Sequence, residues 1–275
     1  MQLNFHKSLW EVQCTNPSAL NKHLDVIQRE GYQGTELFLP FYDIDINTTL
    51  EAHALRGLDI ITGIATEGEN AQAHLLSLTQ QIEKAMLFSP VLINCHTGRD
   101  IFSLKDNVML FDAALELEQK YGVTITHETH RFRPTFSTFG TEQILEVLPE
   151  LKLNLDISHW MVVHESDLKD QQARLDKLFK SVHHIHGRVG FEEGPQVTNP
   201  QDERWQGHLI NHTQCWQKVI NNAFARHERS FTITPEFGPF PYAHIEPTTG
   251  EHLVDIWQAN QFMKQHLSDI LIIPH

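Results

Sequence analysis

Short runs of β-branched and aromatic residues alternate with longer stretches whose apolar positions recur every three or four residues. The short runs fall at 3–7, 34–39, 58–64, 91–95, 123–128, 153–156, 182–186 and 231–236. Helical periodicity appears at 48–56, 71–88, 106–121, 141–148, 168–180, 213–226 and 254–267. One further helix precedes these and has explicit boundaries. Asn16 is placed to cap it, Pro17 takes its first position, Leu20, Leu24 and Ile27 form its apolar stripe, and Gly31 ends it. Strands that alternate with helices in this way predict a parallel sheet with the helices packed outside it.

The spacing of the units says how that sheet ends. The residues closing strands two to eight are Glu36, Ala65, Cys95, Glu128, Asp156, His186 and Glu236, separated by 29, 30, 33, 28, 30 and 50 positions. Near-equal units of about 30 residues are what a barrel of about 250 residues divides into. The chain of 275 residues is therefore read as one (β/α)8 TIM barrel domain spanning 1–275. The single long gap is read as an extended loop at about 189–211, rich in Gly, Pro and charge. Two smaller domains or an open doubly wound sheet are the alternatives, and the equal units favour closure.

Parity along the strands then sorts the side chains, because neighbours in a strand point to opposite faces. Val123, Ile125 and His127 share one face of strand five, and Thr124, Thr126 and Glu128 share the other. Leu153 and Leu155 oppose Asn154 and Asp156; Phe231 and Ile233 oppose Thr232, Thr234 and Glu236. His184, His186 and Arg188 fall together, as do Asn94 and His96. With the apolar sets facing the helices, four successive strands deliver Glu128, Asp156, His186 and Glu236 inward at the C-terminal end, where such barrels carry their sites. Three converging carboxylates repel one another and resist desolvation. A divalent cation resolves both problems, and this donor set suits Mn, Co, Fe, Zn or Mg without choosing among them. Taken singly, each residue is more often an ion-pair member or a polar plug; their shared face and height are what favour a ligand set.

Composition narrows the function classes. The formal net charge is −14, which disfavours a nucleic-acid partner, since phosphate binding draws on Lys and Arg. Cys14, Cys95 and Cys215 are few, odd in number and widely spaced, so no disulfide framework is expected. No apolar leader core and no run of about 18 apolar residues is present, so a cytoplasmic protein with no membrane partner is expected.

The segments ITHETH, LNLDISHW, VHHIHGR and TITPEFG resemble the xylose isomerase-like barrel superfamily, in strand order and over nearly the whole chain. This group includes tagatose 3-epimerase-type sugar epimerases, hydroxypyruvate isomerase, inosose dehydratase and endonuclease IV. The resemblance implies that Glu128, Asp156, His186 and Glu236 hold one divalent metal ion (Mn, Mg, Co or Zn). It also matches His159 and Arg188 to family positions, and His96 to a histidine that the endonuclease branch carries on strand four. That branch needs a further histidine ending strand three, where this chain reads ITGIATEG. Asp202 and His208 only faintly echo its extra ligands.

The function implied is a metal-dependent isomerase or epimerase of a sugar or keto-polyol, working by proton transfer through a metal-stabilised enediolate. Glu128 and Glu236 would be both ligands and the acid–base pair. His159, His186 and Arg188 would orient the substrate, His96 and His130 would contact hydroxyls, and His184 stands equally between substrate contact and core packing. A dehydratase-like lyase is the runner-up; a phosphodiesterase acting on abasic DNA and a non-catalytic sugar sensor follow. Barrel relatives often form dimers or tetramers, and nothing here fixes a number. His127 and Cys95 are expected to face outward, and Arg131 and Arg133 are read as a surface loop pair. Trp160 and Phe240 are candidates to wall the pocket, although packing is the commoner role for such aromatics. His244, His252 and His275 carry no spacing signal.

Overall fold

A computed structural model describes residues 1–12, 14 and 16–274; His275 lies outside the described residues. Eight parallel strands close into a barrel in chain order: β1 (Gln2–Ser8), β2 (Gly34–Phe38), β3 (Asp59–Ala65), β4 (Leu92–His96), β5 (Thr124–Glu128), β6 (Lys152–Leu155), β7 (Val182–His186) and β8 (Ser230–Thr234). The seam joins β1 to β8, with Gln2 opposite Ser230 and Phe5 opposite Ile233. The expected single-domain (β/α)8 barrel is thus what the chain forms.

Around the barrel lie α1 (Pro17–Arg29), α2 (Ile46–Ala54), α3 (Ala71–Met86), α4 (Leu104–Tyr121), α5 (Thr138–Val147), α6 (Ile157–His164), α7 (Gln172–Leu178), α8 (Gln206–Ala225) and α9 (Ile256–Ile270). The Asn16 side chain accepts from the Ala19 amide at 2.9 Å, and Gly31 adopts φ 73° just past α1. A left-handed residue there favours glycine, which has no Cβ to clash. None of the helices among the described residues is long and apolar enough to cross a membrane.

Two elements depart from the sequence expectation. Helix α6 follows β6 directly, with Asp156 as its N-cap. Ile157 through Met161 are all buried, so this helix shows no apolar stripe to be read. Helix α8 begins at Gln206 rather than at 213, because Gly207 and the polar residues before it disguise its first turns. The connection leaving β7 therefore runs over 187–205 and carries a short 3-10 turn, Glu203–Trp205.

The parity expectation describes the packing. Leu153, Leu155, Ile185, Phe231 and Ile233 are buried in one cluster with Trp216, Val219 and Ile220 of α8 and Met263 and Leu267 of α9. Each such side chain contributes about 1.5–3 kcal/mol through burial, which ties the helices to the strands' outer faces. Inside, this barrel is polar where many are filled by branched aliphatics. Thr126, Asn154, His184 and Thr234 are all buried inside it.

Candidate metal centre

Glu128 ends β5, Asp156 follows β6, His186 ends β7 and Glu236 lies two residues beyond β8. The fold brings one donor atom from each within 4.8 Å of the others. Three of the four are buried, while Glu236 is 15% exposed and faces the mouth. The β6–β7 register shifts between Leu153 and Asn154, immediately below Asp156. Such a bulge re-aims the residues that follow it.

His186 is the centre's hinge. Its Nε2 is 3.0 Å from Glu36 Oε1, a carboxylate from across the barrel on β2. Its Nδ1 lies 2.9 Å from Glu236 Oε2 and 3.4 Å from Glu128 Oε2. Neither carboxylate is aligned to accept a hydrogen bond, and the buried Nδ1 has no hydrogen-bond partner. A nitrogen held among carboxylates without a hydrogen bond fits a divalent cation. The donors, three carboxylates and one imidazole, are of the type hard or borderline divalent ions take.

The electrostatics describe a site built around positive charge. Burial alone would raise the Glu128 carboxyl, but His96 and His186 outweigh it and hold that group well below the usual carboxylate range. Asp156 is pushed up to about 6 by burial, against the pull of Arg188, with Glu128 and Glu236 adding repulsion. Burial would lower His186, yet Glu236, Glu36 and Glu128 together raise it well above its ordinary value. Without an ion, the cluster thus draws a proton onto the imidazole to supply the missing positive charge.

The other predicted residues fall in different places. His96 lines the mouth, with Nε2 at 2.7 Å from Glu128 Oε2, and Asn94 donates to the same oxygen at 2.9 Å. His130 also lines the mouth; its ring lies 4.6 Å from His96 and 4.0 Å from His159. Burial and the neighbouring His96 lower His130 to about 3, so it stays neutral. Arg188 is fully buried; its Nη2 pairs closely with Asp156 and lies 3.0 Å from His159 Nε2. Its guanidinium also sits over the Tyr242 ring at 4.6 Å.

Some expectations are corrected and others decided. Of its two readings, His184 has surroundings that match core packing. It is wholly buried, with Nδ1 2.7 Å from Thr232 Oγ1 and Nε2 3.4 Å from Glu36 Oε2. His159 is likewise wholly buried, behind His130 and 3.6 Å from Asp156 Oδ2, so it backs the site rather than lining it. Arg133 is no surface residue: it is buried and donates to the carbonyls of Thr66 and Gly98, tying loops together. Trp160 is buried packing, its indole N–H donating to Thr135 O at 2.9 Å. His127 packs edge-on against Phe111 of α4 and Cys95 is buried in the core, both on the outward face as expected.

The mouth encloses a cavity of about 230 Å³. Its walls include residues the strand argument overlooked: Trp10 and Tyr242 from loops, Phe38 from the end of β2 and Phe41 from the 3-10 turn Leu39–Phe41 that follows it. Trp10 and Tyr242 meet edge to face at 5.1 Å, as do Phe38 and Phe41. Glu36 was legible as a strand residue of inward parity, but its partner His186 lies 150 positions away and no local signal joins them.

No protein-family model matches the sequence, and no curated protein matches it either. Solved structures do match. A D-allulose 3-epimerase from Methylomonas sp., in complex with D-allulose, superposes with a TM-score of 0.66 at 13% identity, over 98% of this chain and 97% of its own. A probable 3-DHS dehydratase from Bacillus anthracis gives 0.65 at 16% identity, over 98% and 99%. A xylose isomerase-like TIM barrel protein from Mycobacterium smegmatis, in complex with magnesium, gives 0.62 at 11% identity, over 98% of each. The chain therefore shares the fold of these barrels over nearly its whole length.

Proposed function

We propose that the protein is a divalent-metal-dependent isomerase or epimerase of a sugar or keto-polyol. The observation that carries this reading is the convergence of Glu128, Asp156, His186 and Glu236, with the unpartnered His186 Nδ1 among their carboxylates. These four would hold the ion, which when bound supplies a Lewis acid for a carbonyl beside a hydroxyl. Similar folds bind D-allulose and magnesium in the solved structures above, which agrees with this chemistry.

The chain's own residues divide the remaining work. Glu128 and Glu236 both approach Nδ1 of His186 and are the carboxylates available to take a proton next to a carbonyl and return one. They are not equivalent. Glu128 is fastened by Asn94 and His96, which favours its ionised form. Glu236 has more freedom, being the most exposed of the four at 15%. Arg188 neutralises Asp156 and so limits repulsion within the cluster. The aromatic walls exclude water and offer apolar faces to the C–H face of a sugar.

Two measurements test the reading. Metal analysis of the purified protein is expected to find one tightly held ion per chain; three would revive the phosphodiesterase alternative. Incubation with a panel of ketoses and keto-polyols in D2O is expected to place solvent deuterium beside the carbonyl. Loss of water from inosose without deuterium exchange in any panel member would replace this reading with the lyase.

A further inference from the structure

We propose that Glu36 is the positioning residue that decides which nitrogen of His186 faces the metal ion, an assignment that rests on the metal-centre reading above. A neutral imidazole carries one N–H, and the bond made by one nitrogen determines what the other offers. Glu36 is 5% exposed and approaches His186 from the side opposite the ligand cluster. Its Oε1 accepts from His186 Nε2 at 3.0 Å, which places the proton on Nε2. With an ion bound, Nδ1 is then the lone pair offered to it; this nitrogen lies 2.9 and 3.4 Å from the Glu236 and Glu128 oxygens.

Glu36 is itself held on both sides. Its Oε2 faces His184 Nε2 at 3.4 Å, and His184 is anchored through Nδ1 to Thr232 at 2.7 Å. Asn94 spans from Glu36 Oε1, at 3.4 Å, to Glu128 Oε2, at 2.9 Å. One carboxylate on β2 thus fixes a ligand on β7 and, through Asn94, a ligand on β5. The buried His184 gains a purpose from this arrangement, because it steadies the carboxylate that orients His186. Outer partners of metal-bound histidines typically change metal affinity by about 10–100-fold when removed.

The test uses Mn2+ affinity of the full chain by titration calorimetry, with Zn2+-loaded, 15N-histidine-labelled protein for NMR. Glu36→Leu is expected to weaken Mn2+ binding by about 10–100-fold. Glu36→Gln, which keeps a weaker neutral acceptor and the shape of the side chain, is expected to lose less, about 3–10-fold. In the unaltered protein the NMR spectrum should show zinc on Nδ1 of His186 and the proton on Nε2, with that pattern mixed or reversed in the variants. If Glu36→Leu does not fold, Glu36→Gln decides alone. Variants that bind Mn2+ within twofold of the unaltered chain, with zinc still on Nδ1, overturn the Glu36 assignment and leave the metal centre standing. An unaltered chain that takes up neither ion overturns the metal reading and this assignment with it.

Discussion

The residues of the site differ in how they depend on one another, and substitutions should expose this. Glu236 has room at the mouth, so Glu236→Gln should leave the fold intact and reduce deuterium exchange by at least about 100-fold, the size of a general acid–base contribution. Retained exchange in that variant would remove Glu236 from the proposed acid–base pair. Arg188 is a different case, because it is fully buried against Asp156. Arg188→Met would strand that carboxylate and should cost about 3–5 kcal/mol in urea unfolding of the metal-free protein. Added Mn2+ should recover part of the loss, because it supplies positive charge to the same carboxylate. At this scale, strand parity made Glu128, Asp156, His186 and Glu236 legible together. Parity cannot show depth, however. His184 shares a face with His186 yet lies beneath it, and Trp10 and Tyr242 reach the cavity from loops that follow no period.

Helix α8 illustrates how an element is held and when it should loosen. His212 is wholly buried on it, with Nδ1 at 2.8 Å from the His208 carbonyl and Nε2 accepting the Gly190 amide at 3.1 Å. Only the neutral ring can make both bonds, and burial lowers the group to about 4. Unfolded, the same ring titrates near 6.5, so between about pH 6.5 and 4 the unfolded chain binds the extra proton. Stability from this group is therefore complete above about pH 6.5 and is lost as the pH falls towards 4, by up to about 3 kcal/mol. Urea midpoints measured across that range should fall less steeply in His212→Leu than in the unaltered chain; equal slopes would contradict the account. Elements with a wet and a dry side, such as α1 and α9, were legible from their stripes. Helix α6 was not, because burial of its first five residues in a row erases the period that would reveal it.

For the whole molecule, net charge and barrel closure matter most. The chain carries a formal charge of −14, and four of its carboxylates, Glu36 included, crowd one end of the barrel. Removing a bound ion should destabilise the entire domain, since binding at 100 times Kd adds about 2.7 kcal/mol. Scanning calorimetry with and without a chelator should show a Tm lower by about 5–10 °C in the metal-free state. An unchanged Tm would argue against a tightly held ion. The barrel itself was legible because eight units of similar length leave little other way to bury their apolar faces. The reaction was less so, because its selectivity lies in loops that carry no repeat.

The four proposed ligands are spread from Glu128 to Glu236, and Glu236 follows the strand whose pairing with β1 seals the sheet. A nascent or misfolded chain lacking β8 can assemble at most three of them. Ion capture would then report on completed assembly, making metal uptake a gauge of how much of a preparation has reached the native state.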